Sequence, residues 1–207
     1  HNIPSGETFD SLRIKYPIVM CSQYNKDEDI PYVVVDDYNS AKNAVNYLLS
    51  VGKKRIAFIN SSKNYSYSPL REKGFRDALK ASGNPVNDNW IIHLTDIDFN
   101  VAFSVATTLL SSCDKPDAIF CASDVYACAA LKAAHTLHLS IPEDVAVMGF
   151  DNVNLTTMTV PTISTVSQPT YQLGYQSCNL LVDQIEGNPV PNQKIVLATE
   201  IVVRSST

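Results

Sequence analysis

Glycine is scarce in this chain, seven residues in 207, and none stand in the G-x-G-x-x-G or G-x-x-x-x-G-K-[ST] spacing. Those patterns let backbone N–H groups close on a phosphate, so neither a dinucleotide cradle nor a phosphate loop is indicated. Positive charge is short as well. Sixteen Lys and Arg face 21 Asp and Glu, a net charge of −5. Neutralising a nucleic-acid backbone takes clustered Lys and Arg, and the densest basic run, Lys53-Lys54-Arg55, reads as a solvated helix–strand corner. No apolar run approaches the roughly 18 residues that span a bilayer, and no signal peptide is visible, so no membrane partner is expected. The five cysteines, Cys21, Cys113, Cys121, Cys128 and Cys178, are odd in number and lack metal-knuckle spacing. A reducing, cytoplasmic location is expected rather than a disulfide framework. H-E-x-x-H and G-x-S-x-G are both missing, and nothing reads as a nucleophile beside its base. The expectation is a protein that is not an enzyme, with no cofactor and no metal. The chain opens on His1 and residues 1–7 show no periodicity, so upstream sequence is expected to precede it.

What is present is alternation. Short apolar runs at Pro17–Cys21, Tyr32–Val35, Arg55–Ile59, Trp90–Leu94, Asp117–Ala122 and Val145–Met148 read as buried strands. Between them lie helical patterns. Ala41, Ala44, Val45, Leu48 and Leu49 form one stripe, Phe75, Ala78 and Leu79 a second, and Ala102, Val105, Ala106, Leu109 and Leu110 a third. The segment Val125–Ala134 is nearly all small residues and should pack close to a sheet. Pro69 and Pro169 suit helix starts, and Gly52, Gly83 and Gly187 suit stops. Strands separated by helices of this length mean βαβ units and a mostly parallel sheet. The pattern breaks after Asn152, where a Thr-rich stretch runs to Pro161, and Ile195–Val203 closes the chain as one or two strands.

Open parallel sheets bind ligands beyond the carboxyl ends of their strands. The residues there are Ser22 and Gln23, Asp36 and Asp37, Ser61 and Ser62, Ile97 to Phe99, Ser123 and Asp124, and Asp151 and Asn152. Hydroxyls, amides and carboxylates with one aromatic suit a neutral, hydroxyl-rich small molecule, because a carboxylate can accept from vicinal hydroxyls and an aromatic can cover a ring face. Asp and Ser after a strand also cap the next helix, and that second reading stands beside the first for Asp36, Asp37, Ser123 and Asp124.

The blocks VVVDD, AVNYLLSVGKKRIAFI, LREKGFRDAL, KPDAIFCASDVYACAAL, IPEDVAVMGFDN and PTISTVSQP follow one another in this order. Together, from about Pro17 to Thr207, they resemble the effector-binding core of the LacI/GalR family of bacterial transcription repressors. The wording around Ala44–Tyr47 and in GFDNVNLT is most similar to members that respond to a pyrimidine nucleoside such as cytidine. The resemblance implies an α/β fold of two doubly wound parallel-sheet subdomains with a ligand cleft between them, like a periplasmic binding protein. It implies an N-terminal subdomain from residues 1–51 plus 168–190 and a C-terminal one from 52–163 plus 195–207, with three crossings and a hinge at Thr162–Gln168. It implies a regulator that senses a small polar effector, forms a homodimer, and reaches operator DNA through a helix-turn-helix head that this chain lacks. Carried over residue by residue, the ligand-binding set is Ser22, Arg71, Phe99, Ser123, Asp151 and Gln168. Ser22 stands where relatives often carry Asp, which makes a hexose less apt. Ile97 occupies the position of the stacking aromatic in purine-responsive members, with Phe99 two residues on as its replacement. Two rival readings remain open: a free-standing periplasmic-type sugar- or nucleoside-binding protein, and a small α/β enzyme using Asp151 or Asp124 as base.

Overall fold

A computed structural model describes residues 12, 14–24, 29–189 and 193–207; the expectations for residues 1–7 lie outside them. Two sheets organise the chain. The smaller has three parallel strands in the order β1 (Met20–Cys21), β2 (Tyr32–Val35), β8 (Lys194–Leu197). The larger has six, in the order β4 (Ile91–Leu94), β3 (Ile56–Ser61), β5 (Ala118–Cys121), β6 (Ala146–Asp151), β7 (Ser164–Ser167), β9 (Glu200–Val202). All its pairs are parallel except β7 with β9.

The central strands of the large sheet are buried on both faces, which is why they read as continuous apolar runs rather than alternating ones. Helices α1 (Asp37–Ser50) and α2 (Tyr67–Ala81) cover one face. There Ala41, Val45, Leu48, Phe75 and Leu79 pack on Phe58, Phe120 and Met148, and Phe58 stacks against both Phe75 and Phe120. Helices α3 (Phe99–Ser111) and α4 (Asp124–Thr136) cover the other face, placing Ala106, Leu110, Ala127, Ala130 and Ala134 on Ile59, Ile119 and Val147. The small side chains of α4 bring it so close that the Asp124 carboxylate occupies the place a Cβ on Gly149 would take. A short α5 (Leu155–Met158) follows β6, so the Thr-rich stretch contains one helical turn. The small sheet packs Val33 and Val35 against Leu173 and Leu180 of α6 (Thr170–Glu186), which ends on Gly187 in the left-handed conformation.

The chain passes between the sheets three times, at positions that differ from the expected subdomain boundaries. Residues 37–50 do not belong with the small sheet: the apolar stripe of α1 is buried against α2 and the large sheet, so the first crossing falls at Asp36 rather than at 51. The third crossing falls at Ala198–Thr199 rather than near 195, because β8 pairs with β2 and only β9 joins the large sheet. The stripe in α1 satisfies either partner equally well, and two strands separated by two residues look like one run in sequence. The second crossing falls at Gln168–Pro169, at the end of the expected hinge Thr162–Gln168, most of which is strand β7 of the large sheet.

Candidate functional site

Strand carboxyl ends from both sheets face a single cleft of about 210 Å³, lined by Ser22, Gln23, Tyr65, Tyr67, Arg71, Ile97, Ala122, Asp151 and Gln168. That volume falls below the ~300–1,000 Å³ of pockets for drug-sized molecules, so the space suits no more than one small molecule. Ser22 and Gln23 follow β1 and come from the small sheet. Gln168 comes from the second crossing, and the remainder from the large-sheet lobe. A hydrogen bond from the Tyr24 backbone N–H to Ser66 Oγ, 3.3 Å, links the lobes at the mouth.

Arg71 sits on α2, only 4% exposed. Its Nε donates to Asp37 Oδ1 at 2.8 Å and its Nη1 to the Ala122 carbonyl at 2.9 Å. The guanidinium is sandwiched between the rings of Tyr67 and Phe150, 4.4 Å and 3.4 Å from their centroids. Among the described residues its Nη2 donates to no protein group, which leaves that nitrogen for a ligand. Both members of the Arg71–Asp37 pair are buried. Burial pushes the Asp37 carboxyl up, with Arg71 pulling the other way.

Asp151 ends β6 and faces Arg71 across the cleft. Burial raises its carboxyl to about 6, against the opposing pull of Arg71 and of a hydrogen bond from Gln168. That bond, Gln168 Nε2 to Asp151 Oδ1, is 2.6 Å long and ties a crossing residue to the large sheet. Asp151 and Asn152 both have positive φ, 113° and 61°. Non-glycine residues hold such angles only where surrounding contacts over-determine them, at about 1–3 kcal/mol each. Here the contacts are explicit. Asp124, fully buried, accepts from Thr165 Oγ1 at 2.7 Å and from the Val153 N–H at 2.8 Å. Burial raises the Asp124 carboxyl, and those hydrogen bonds oppose the rise. Asp124 thus braces the turn behind Asp151. Ser22 also has positive φ, 66°, and donates its N–H to the Val33 carbonyl at 2.8 Å.

Two lining residues carried no signal in the strand-end reading. Tyr65 and Tyr67 stack at 5.3 Å with 9° between their planes and supply an aromatic wall. The loop that carries Tyr65 and the first turn of α2, which begins at Tyr67, are fixed by buried polar groups: Asn60 Nδ2 donates to the Ser68 carbonyl, 3.0 Å, and Ser68 Oγ to the Ser61 carbonyl, 2.7 Å. The Tyr67 phenol is pushed up, mainly by burial. On the opposite rim Tyr126 donates to the Asp96 carbonyl at 3.0 Å, steadying the loop that presents Ile97. Burial pushes the Tyr126 phenol up to about 12.

Of the six expected site residues, Ser22, Arg71, Asp151 and Gln168 meet in this cleft. Ser123 does not line it. Its Oγ accepts from the Val125 N–H and caps α4, and Ala122 beside it takes the lining position. Phe99 does not line it either. As the first residue of α3 its ring turns away from the cleft, packs on the α3–α4 core and lies 5.4 Å from the Lys132 ammonium, leaving Ile97 at the rim. Asp36 caps α1 by accepting from the Asn39 backbone and side chain. Among the described residues no three His, Cys, Asp or Glu converge as a metal site would require, and no helix is long and apolar enough to cross a membrane.

Comparison with known proteins gives the same architecture. The family of periplasmic binding protein-like domains matches over residues 45–207. The HTH-type transcriptional repressor CytR of Escherichia coli (strain K12) is 33% identical over 205 residues, covering 99% of this chain and 60% of that protein. The ribose operon repressor of Halalkalibacterium halodurans is 34% identical over 195 residues, covering 94% and 57% respectively. A regulatory protein of LacI family from Chloroflexus aggregans superposes with a TM-score of 0.88 at 28% identity, over 96% of this chain and 71% of that one. The chain thus spans about 60% of the length of the curated relatives it matches.

Proposed function

We propose, on the premise that this chain belongs to the LacI family of transcription regulators through its periplasmic binding protein-like domain, that it is the effector-sensing core of a cytoplasmic, homodimeric repressor. Such a repressor reaches operator DNA through a head outside these residues. The observation that carries the reading is the convergence of Arg71, Asp151, Ser22 and Gln168, drawn from both lobes and one crossing, on a single small cleft. A ligand that touches both lobes favours the hinge angle at which it can touch both, and so shifts the population of lobe arrangements. In a dimer that angle sets the separation of two DNA heads, and half-site spacing is geometrically strict. A coupling of about 1–3 kcal/mol changes operator occupancy several-fold to a hundredfold.

The chemistry favours a pyrimidine nucleoside such as cytidine. The Asp151 carboxylate, one oxygen of which accepts from no donor among the described residues, accepts from ribose hydroxyls, the Arg71 Nη2 donates to a carbonyl or hydroxyl oxygen, and the Tyr65–Tyr67 wall presents a face to a flat ring. Among the described residues no cation but Arg71 lines the cleft, and that one is already paired with Asp37, which favours a ligand without a phosphate. The test is titration calorimetry of nucleosides, purine bases and sugars against the wild-type chain and Asp151→Ala. Cytidine should bind the wild type, and the variant should lose binding while keeping its circular dichroism spectrum. Unchanged affinity in the variant would refute the site.

A further inference from the structure

Arg204 is not among the residues that line the cleft, and yet it is built into the turn beneath Asp151. Its Nη2 donates to Asn152 Oδ1 at 2.8 Å and its Nη1 to the Ile163 carbonyl at 2.7 Å. Its backbone N–H donates to Ser164 Oγ at 2.8 Å. Asn152 is held from the other side, its Nδ2 donating to Ser167 Oγ at 3.1 Å, and Ser167 is the strand partner of Asp151. The tail that bears Arg204 is itself riveted to β6 and β7. The Val147 N–H donates to the Ser206 carbonyl at 2.8 Å, Ser206 Oγ donates to the Val147 carbonyl at 2.6 Å, and the Ser164 N–H donates to Ser206 Oγ at 2.9 Å.

We infer that Arg204 is a positioning residue for the ligand anchor: its guanidinium fork, spanning the Asn152 amide and the Ile163 carbonyl, holds the left-handed turn that aims the Asp151 carboxylate into the cleft. The two consecutive positive φ angles at Asp151 and Asn152 are the reason a clamp is needed, since an L residue leaves that region when released. Asparagine tolerates the left-handed conformation, but tolerance alone does not select it over the extended alternative. Lysine cannot substitute, because one ammonium on a flexible stem does not reproduce two donors in a fixed fork. The inference rests on the reading of Asp151 as the anchor, and it assigns a role to a residue that touches no ligand.

The test needs no ligand, so an error in effector class leaves it intact. The Asp151 carboxyl of the 207-residue chain is titrated by carbon-13 NMR on protein labelled at the aspartate carboxyls. The groups facing it are Arg71 and Tyr67 from α2, Asp37 from α1, Asp124 from α4 and Gln168 from the crossing. In the wild type the midpoint is about 6. In Arg204→Ala the released carboxylate reaches solvent, and the midpoint should fall by about one pH unit or more toward the ordinary 3.8. Removing a nearby cation raises a carboxyl midpoint directly and can lower this one only through Asp124, whose charged form Arg204 favours; Arg204→Lys keeps that cation, so a fall in the lysine variant reports displacement and not lost charge. Arg204→Lys should fall likewise, and it carries the test if the alanine variant does not fold. Asn152→Gly permits the same φ but removes the amide by which Arg204 holds the turn, leaving only its bond to the Ile163 carbonyl. It should reproduce the fall, and adding Arg204→Ala to it should produce no further change. A midpoint that stays near 6 or rises in Arg204→Lys, or an Arg204→Ala effect of equal size in the Asn152→Gly background, overturns the inference.

Discussion

Asp151→Asn should make the folded protein more stable at neutral pH while disabling the cleft. The carboxyl is raised from 3.8 to about 6, so the native state holds its proton more tightly than the unfolded chain does. The side chain's contribution to stability is therefore full below pH 4, and it is lost as pH climbs through about 6. The net rise of about two pH units already includes the favourable pull of Arg71 and Gln168. At ~1.36 kcal/mol per unit it corresponds to about 3 kcal/mol of cost once the group is ionised. The side chain keeps partial access to water, and screening reduces the figure to roughly 1–2 kcal/mol. Asparagine removes the charge and keeps an oxygen for Gln168 to donate to. For a chain of this length each kcal/mol moves the melting temperature by about 2–4 °C. Thermal melts of wild type and variant at pH 7.5 and pH 4 should show the variant ahead by about 2–8 °C at the higher pH and level with the wild type at the lower. Asp37 and Asp124 also titrate above their ordinary range; what is common to both proteins cancels in the difference, and their repulsion of the Asp151 charge, which the variant loses, adds to its advantage at the higher pH. A variant no more stable than the wild type at pH 7.5, or equally advantaged at pH 4, refutes the reasoning.

Gly149→Ala should cost about 2 kcal/mol or more in urea denaturation, because its methyl would displace the Asp124 carboxylate from Thr165 and Val153; Gly174→Ala, where a methyl meets nothing, is the control and should gain about 0.5–1 kcal/mol. Asp37→Ala strands the Arg71 guanidinium inside the protein and should lower unfolding free energy by about 3–5 kcal/mol, read from the urea midpoint.

Much of the fold was legible because its signals are local. Continuous apolar runs such as Ile56–Ile59 can only be strands buried on both faces, and stripes such as Phe75, Ala78 and Leu79 can only be helices with one covered side. Asp151 was legible for a similar reason: a carboxylate ending a buried strand, with a poor helix behind it, lacks a capping role. Tyr65 and Tyr67 were not, since they sit four and six residues beyond the end of β3, on a loop and the helix start it leads into, whose course depends on the buried Asn60–Ser68 bond. Phe99 and Ser123 misled because each does ordinary work, packing under α3 and capping α4, at positions adjacent to the lining. Nor does any local pattern record which sheet a strand or helix joins, and that is why the boundaries near 51 and 195 shifted.

The three crossings lie abreast. Val35 partners Leu197 and Ser167 partners Glu200, so the third crossing runs between the other two, and Ser40 Oγ meets Thr199 Oγ1 at 2.7 Å to fasten it to the first. Three strips of peptide laid edge to edge form a strap, stiff against sliding and splaying within its own plane and compliant only to folding across it. A door hung on such a strap swings about one line whatever pushes it. On the proposed hinge, side chains at the cleft could therefore be exchanged to suit a different ligand without redrawing the arc of closure.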